Sequence, residues 1–395
     1  MSAADAVLKP DFAARRKHFI FTDEHEALRE SIRAFVVKEL APHAEEWEET
    51  TFPDWVFKRM GELGFLGLDK PEEYGGQGGD YYSSLVLAEE IVHARSGGLA
   101  MGLAVQTDMA MPPILAFGTE EQKREWVVPA IAGDAILCLG ITEPDAGSDV
   151  AGIKTRAVRD GDEYVINGSK TFITNGGSAD LVVVAARTSP EKKAKGISLF
   201  GVDTSLPGFS VGRVLDKVGQ DESDTAELSF EDVRVSNDDL VGPLDTGFIS
   251  MMQFLPQERL GSAVTNLAHA AQILVETIQY AKDRQAFGQP IGSFQHNRFL
   301  IAEMATEARI AQVFVDDCIR KHLDGKLDAT LASMAKWWTT ELQKKIVDQA
   351  VQLHGGYGYM MEYRVARDYV DSRIQTIFGG TTEIMKEIIG RDLGL

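Results

Sequence analysis

The chain has 395 residues, 44% of them hydrophobic, and a formal net charge of −20. That length exceeds one ordinary core and predicts two or three domains, while the acidic balance excludes nucleic acid or an anionic membrane surface as the main partner, since both require a basic footprint. Cys138 and Cys318 stand far apart with no Cys/His cluster, so neither a metal site nor a disulfide framework is expected, and a reducing compartment fits.

In chain order, Lys9, Arg15, Arg16 and Lys17 precede no apolar run, so no secretory signal is expected. Residues 1–133 read as a helical domain. Thr22 to Glu26 offers a helix start, and Leu28, Ile32, Phe35 and Val36 then share one face. Segment 96–104 is rich in small residues, which either leave room for a long ligand tail or let helices pack closely. The most apolar window, 99–117, is broken by Asp108 and by Pro112 with Pro113, so no membrane span is expected.

From 134 to 241 the hydrophobic period shortens to two, with Gly- and Asp-rich turns, which predicts a small β domain. Segment 140–152 (GITEPDAGSDVAG) sets hydroxyls, carboxylates and small residues behind an apolar run. Such a turn suits a flat, polar-edged ring with a pyrophosphate tail: Thr142 at the ring edge, Ser148 at a phosphate, Gly147 allowing close approach. It also suits an ordinary strand-to-loop turn. The segments 164–168 and 171–177 read as a β-hairpin turning at Asn167-Gly168, with Phe172 walling off a planar ring and Thr174 offering it a hydroxyl. The same Asn-Gly-Ser triplet matches a glycosylation acceptor, but a hairpin turn is the better reading without a signal segment.

From 242 to 395 the helical period returns, in stretches near 245–281, 294–322, 328–354, 363–376 and 381–390. Neither G-x-G-x-x-G nor a Walker A motif occurs, and neither do G-x-S-x-G and H-E-x-x-H. Nucleotide-binding and hydrolase folds therefore lose their best support.

With the 140–152 loop and the run 352–359 (QLHGGYGY), followed by Glu362, Arg367 and Asp371, the chain resembles the acyl-CoA dehydrogenase family from about Phe21 to its end. One departure is Asp145, where many relatives carry Gly; Asp tolerates a left-handed turn. The resemblance implies an α+β fold: an N-terminal helical domain, a middle β-barrel or β-sandwich, and a C-terminal four-helix bundle. It implies FAD, held by Leu139, Ile141, Thr142, Gly147, Ser148, Phe172, Ile173 and Thr174, and by Arg284, Phe287, Gln295, Gln352, Gly355, Gly356, Thr381 and Glu383. Some of the latter reach a neighbouring subunit's flavin in the family, so a homotetramer built as a dimer of dimers is expected. Ser148, Arg259, Phe378, Gly379 and Gly380 fall at substrate-contacting positions.

The implied reaction is α,β-dehydrogenation of an acyl-CoA thioester, with electrons passed to an electron-transfer flavoprotein in fatty acid β-oxidation. In many relatives the base lies just before a Gly-Thr pair near the C-terminus, but here that position is Gly379, which carries no side chain. Glu258 stands where the long-chain and isovaleryl subgroups place theirs, among Met251, Met252, Phe254, Leu255 and Leu260, next to a Pro256 that removes one helix hydrogen bond. Glu258 is thus the expected base, with a surface ion pair as the alternative. The overall match is to the long-chain subgroup, with branched-chain and terpenoid acyl groups open. A cytoplasmic location is expected, or the mitochondrial matrix in a eukaryote. A flavin oxidase or monooxygenase and a non-catalytic acyl-CoA binder are the rival functions.

Overall fold

The computed structural model describes residues 18–395, so the basic residues Lys9 to Lys17 lie outside them. The first helix, α1 (Asp23–Phe35), starts where the sequence places it. Thr22 and His25 form a reciprocal cap, each side chain meeting the other's backbone N–H, and this satisfies two of the free donors of the first turn. Ile32, Phe35 and Val36 are buried, and Leu28 packs against the same cluster. Arg29, fully buried, ties α1 to α2 (Tyr81–Glu90) through Glu89 at 2.9 Å and Glu90 at 2.8 Å.

The apolar run Gly97–Phe117 is helical throughout, as read for this block; Asp108 and the two prolines interrupt its apolar character and not its helix. It opens as α3 (Gly97–Ala104), widens into a π-turn over Val105–Ala110, and re-forms over Met111–Phe117. The π-turn frees the backbone just where Pro112 and Pro113 enter, as first-turn residues whose missing N–H groups cost little. By length and composition this run is long and apolar enough to cross a bilayer, but 61% of its most apolar stretch is buried inside the protein. Gln106 pins it to the sheet, donating to the Ala130 and Ala135 carbonyls at 3.1 and 2.9 Å and accepting from Leu137 N at 2.7 Å.

The middle block is an eight-stranded sheet: β1 (Leu137–Gly140), β2 (Arg156–Asp160), β3 (Glu163–Thr174), β4 (Leu181–Arg187), β5 (Ile197–Asp203), β6 (Phe209–Val214), β7 (Thr225–Ser236) and β8 (Leu240–Val241). Its order is β6-β7-β3-β2-β4-β5-β8, with β1 pairing parallel to β4. A single residue pair, Arg156 with Arg187, joins β2 to β4. The sheet folds over at that seam, and residues of both halves, among them Ile166, Val182, Phe200 and Phe230, share one core.

The expected hairpin at Asn167-Gly168 does not form; β3 runs straight through it. Asn167 instead clamps β7, donating to Asp232 Oδ1 at 2.9 Å and accepting from Asp232 N at 3.0 Å, and the register slips by a bulge between Ile166 and Gly168. Gly168 is needed because its φ is +152° and a Cβ would collide with Thr155. The real hairpin turn joins β2 to β3 at Gly161, with φ +67°.

The C-terminal block holds α4 (Gly247–Asp283), α5 (Gln295–Leu323), α6 (Ala329–His354), α7 (Arg364–Ser372) and α8 (Thr382–Asp392), close to the five helical stretches read from the sequence. Leu267, Leu274, Met304, Val315, Ile346 and Val347 fill the core of the bundle. The three blocks meet where α3 begins. Gly97 N donates to Asp371 Oδ2 of α7 at 3.3 Å, and Gly98 N to Glu222 Oε2, from the loop before β7, at 3.1 Å. Asp371 Oδ1 also accepts from Gln220 N at 2.6 Å. Burial pushes both carboxyls upward, with Asp371 raising Glu222 further.

Candidate active site

The first part of the site lies where the loop leaving β1 crosses the last third of β3. The loop after β1 rests on β3 through Thr171 N donating to the Thr142 carbonyl at 2.9 Å. Beneath it lies a buried ion pair that the sequence reading missed: Lys170 Nζ donates to Glu143 Oε1 at 2.8 Å and to the Ile141 carbonyl at 3.0 Å. Glu143 also accepts from Lys154 N at 2.5 Å and Thr155 N at 2.9 Å, so one carboxylate anchors both ends of the loop. Burial pulls Lys170 down to about 8, opposed by Glu143, while Glu143 is held low against its own desolvation by Lys170 and its other donors. A Lys at an inward strand position, with a Glu in a nearby loop, was the available signal.

On this base Leu139, Ile141, Thr142 and Thr174 are half-buried and Ile173 is buried, while Gly147 and Ser148 are exposed, with open space around Gly147. Asp145 is not left-handed; it lies outside the positive-φ residues and pairs with Lys154 at 2.7 Å, so Gly was never required there. Asn175, left-handed and buried, ties the end of β3 to α3 by donating to the Gly102 carbonyl at 2.9 Å. Phe172 stands at the bulge between Lys170 and Ile173 with φ +60° and 67% of its surface exposed. A bulky residue in that conformation costs about 1–3 kcal/mol, and an exposed ring adds to it. A flat ring stacked on Phe172 offsets both costs, so the residues present fit a flavin.

A second group gathers on the helical block. Arg284 closes α4, and its guanidinium lies 5.3 Å from the Tyr357 ring centroid. Phe287 is 96% exposed at φ +54°, Gln295 opens α5, and Gln352, Gly355 and Gly356 are exposed at the end of α6. His354 stacks on Tyr280 at 3.9 Å and bonds the Ala350 carbonyl at 2.7 Å, a structural role. Phe287 repeats the exposed, left-handed aromatic of Phe172.

The third part surrounds Glu258. Its helix α4 runs through Pro256, and Phe254 packs edge-on against Phe117 at 5.9 Å. Burial pushes the Glu258 carboxyl up to about 8; Arg259 opposes the shift and Asp108 adds to it. Arg259 itself is buried, donating to the Gly379 carbonyl at 3.4 Å and to Ser333 Oγ at 3.4 Å. Lys336, also missed in the sequence, donates to the carbonyls of Gln375 and Gly380, each at 2.8 Å. Together they hold the loop bearing Phe378, Gly379 and Gly380 and the start of α8, where Thr381 caps Ile384 N at 3.2 Å and Glu383 sits in the first turn. Gly379 has φ +62° and no atom nearer than 4.0 Å to a built Cβ.

A carboxyl raised by burial on α4 and a strained, exposed aromatic shelf on β3 suit a class of protein, a redox enzyme that binds a flat ring. Family profiles agree over nearly the whole chain, with the acyl-CoA dehydrogenase N-terminal domain matching residues 22–134, the middle domain 138–233 and the C-terminal domain 245–394. The pig long-chain specific acyl-CoA dehydrogenase of mitochondria is 43% identical, over 97% of this chain and 89% of its own. The Acetobacterium woodii caffeyl-CoA reductase-Etf complex subunit CarC is 39% identical over 93% of this chain and 98% of its own. A crystal structure of an acyl-CoA dehydrogenase from Geobacillus kaustophilus superposes with a TM-score of 0.93 at 45% identity, covering 95% and 99% of the two chains. The chain belongs to the acyl-CoA dehydrogenase family, oxidoreductases that act on the CH–CH bond of acyl-CoA with FAD.

Proposed function

We propose that Glu258 removes the α-proton of an acyl-CoA thioester, with a long-chain acyl group as the leading substrate and an electron-transfer flavoprotein as the electron acceptor. The observation that carries this is the desolvated Glu258 carboxyl, pushed up to about 8, beside a position 379 that has no side chain. A dry carboxylate is a strong base, and a raised pKa brings it toward the weak acidity of a carbon next to a thioester. Bound FAD supplies the acceptor for the β-hydrogen, taken as hydride. Phe172, Thr142 and Thr174 orient the ring, Ser148 lies toward its phosphate and the CoA, and Phe378 to Gly380 border the acyl group. Arg259 and Lys336 fix the last loop through its carbonyls.

The exposed second group, Arg284, Phe287, Gln295, Gln352, Gly355 and Gly356, serves the flavin of a neighbouring copy, in a homotetramer. The likeness to the long-chain enzyme supports the chain length, and that to an Etf complex subunit supports the acceptor. Anaerobic mixing of the FAD holoenzyme with acyl-CoAs from four to eighteen carbons tests the reading: bleaching of the flavin band, strongest with the longer chains, is expected. No bleaching with any ester refutes it. Arg284→Ala is expected to lower FAD retention and the tetramer fraction together on sizing, because ligand and assembly stabilise each other.

A further inference from the structure

A narrow cavity opens between the N-terminal helices and α4, lined by Phe65, Leu87, Ile91, Leu103, Asp108 and Thr265 among others, and the charge of its Asp108 reaches Glu258. Thr265 lies seven residues beyond Glu258, two turns along the same face of α4, so the cavity lies on the side of that helix that bears the base. The space open to water centres is about 40 Å³, room for a few heavy atoms of an acyl group next to the reacting carbons. The glycines of α3 do not widen it: Gly98 packs on Glu222 and Ser223, and Gly102 on Phe52 and Asn175.

The carboxyl of Asp108 is out of place on such a wall. Burial pushes it up to about 6, and its charge reaches Glu258. The groups near it each have another contact as well. The Lys70 ammonium, buried, is held by Asp69 at 2.5 Å. The Thr107 hydroxyl, although close enough to lower Asp108 slightly, donates to the Leu103 carbonyl at 3.0 Å. Tyr81, whose phenol burial and the charges of Asp108 and Asp69 keep protonated, packs on His322 at 4.4 Å. A site made only for an alkyl chain would gain by an apolar residue at 108, since a desolvated carboxyl without a full set of partners is destabilising.

We propose that Asp108 is a specificity-determining residue that selects acyl groups carrying a hydrogen-bond donor, a hydroxyl or an ammonium, beyond the reacting carbons. The proposal rests on the acyl-CoA dehydrogenase reading given above. The donor enters the cavity, takes the free lone pairs of Asp108, and replaces the water that a plain alkyl chain would strip without compensation.

The test uses the FAD holoenzyme and three esters of matched heavy-atom count, heptanoyl-CoA, 6-hydroxyhexanoyl-CoA and 6-aminohexanoyl-CoA, with Kd read from the perturbed flavin spectrum and reduction from anaerobic bleaching. A hydrogen bond to a charged acceptor predicts at least about tenfold tighter binding of the hydroxy and amino esters by the wild-type enzyme. Asp108→Leu is expected to reverse that order. Asp108→Asn, which keeps the shape and a carbonyl acceptor, is expected to keep part of the hydroxyl preference and lose the ammonium preference. Heptanoyl-CoA binding as tightly as both others, or a donor preference that survives Asp108→Leu, overturns the proposal. Absence of bleaching with every ester is a different failure, that of the dehydrogenase reading, while the Kd order still decides the role of Asp108.

Discussion

Replacing Glu258 by Gln separates its cost to the fold from its use in the reaction. The shift from 4.5 to about 8 means that the folded protein holds this proton more tightly than the unfolded chain does. The resulting stability is fully present below about pH 4.5 and is lost as pH rises toward 8, because the carboxylate must then ionise in a dry site. At 1.36 kcal/mol per unit the whole shift corresponds to roughly 5 kcal/mol, an upper bound that relaxation around the half-buried side chain lowers to roughly 2–3 kcal/mol. Gln has the same shape and never ionises. The variant is therefore expected to unfold at the same temperature as wild type at pH 5 and about 2–5 °C higher at pH 8.5, in scans at equal FAD. Flavin reduction by acyl-CoA should fall by about 10²- to 10⁴-fold while the ester still binds. A stability difference that does not depend on pH, or an undiminished rate of bleaching, would refute the reasoning.

The same ionisation predicts that the wild-type reductive half-reaction, followed as reduction rate over Kd, rises about tenfold per pH unit below 7 and levels above about 8; a profile flat from pH 6 to 9 would contradict Glu258 as the base. Lys170→Met leaves Glu143 buried without its cation, a change worth about 3–5 kcal/mol, and is expected to loosen the 140–152 loop and release FAD, with Lys170→Arg retaining part of the binding in flavin titrations. Gly379→Glu in the Glu258→Gln background meets open space but a left-handed backbone costing about 1–2 kcal/mol, so bleaching should return in part and the melting temperature should drop slightly; no recovery in folded, FAD-bound protein would show that the two positions do not reach the same carbon.

Local chemistry made the Thr22 cap, the alternating strands and the long C-terminal helices legible, because each is written within a few neighbouring residues. The same locality misled at Asn167-Gly168, where residues that favour tight turns serve a bulge in a long strand, a use decided by Asp232 on β7, 65 residues away. Over 99–117 the helix was legible but its π-turn ahead of Pro112 and Pro113 was not, because that slack is set by packing. Within the candidate site, the sequence singles out Glu258 only by setting it against the missing side chain at 379. The contacts of Lys170 with Glu143, of Lys336 with the Gly380 carbonyl, and the cavity wall at Asp108 arise from packing between segments that no sequence window spans.

The joint at the start of α3 bears on how this chain can be re-engineered. Two adjacent backbone N–H groups of one block are each taken by a carboxylate from a different block, Glu222 and Asp371, and Asp371 also holds Gln220. Exchanging the middle block for a relative's leaves Gly98 without its acceptor unless residue 222 travels with it in the same conformation, and exchanging the last block does the same to Gly97 and Gln220. Each mismatch exposes a buried donor costing about 1–3 kcal/mol at the mouth of the helix that carries part of the acyl cavity wall. Chimeras cut at the apparent block boundaries will therefore register their damage as altered substrate preference before any loss of flavin, and the three blocks trade as one piece.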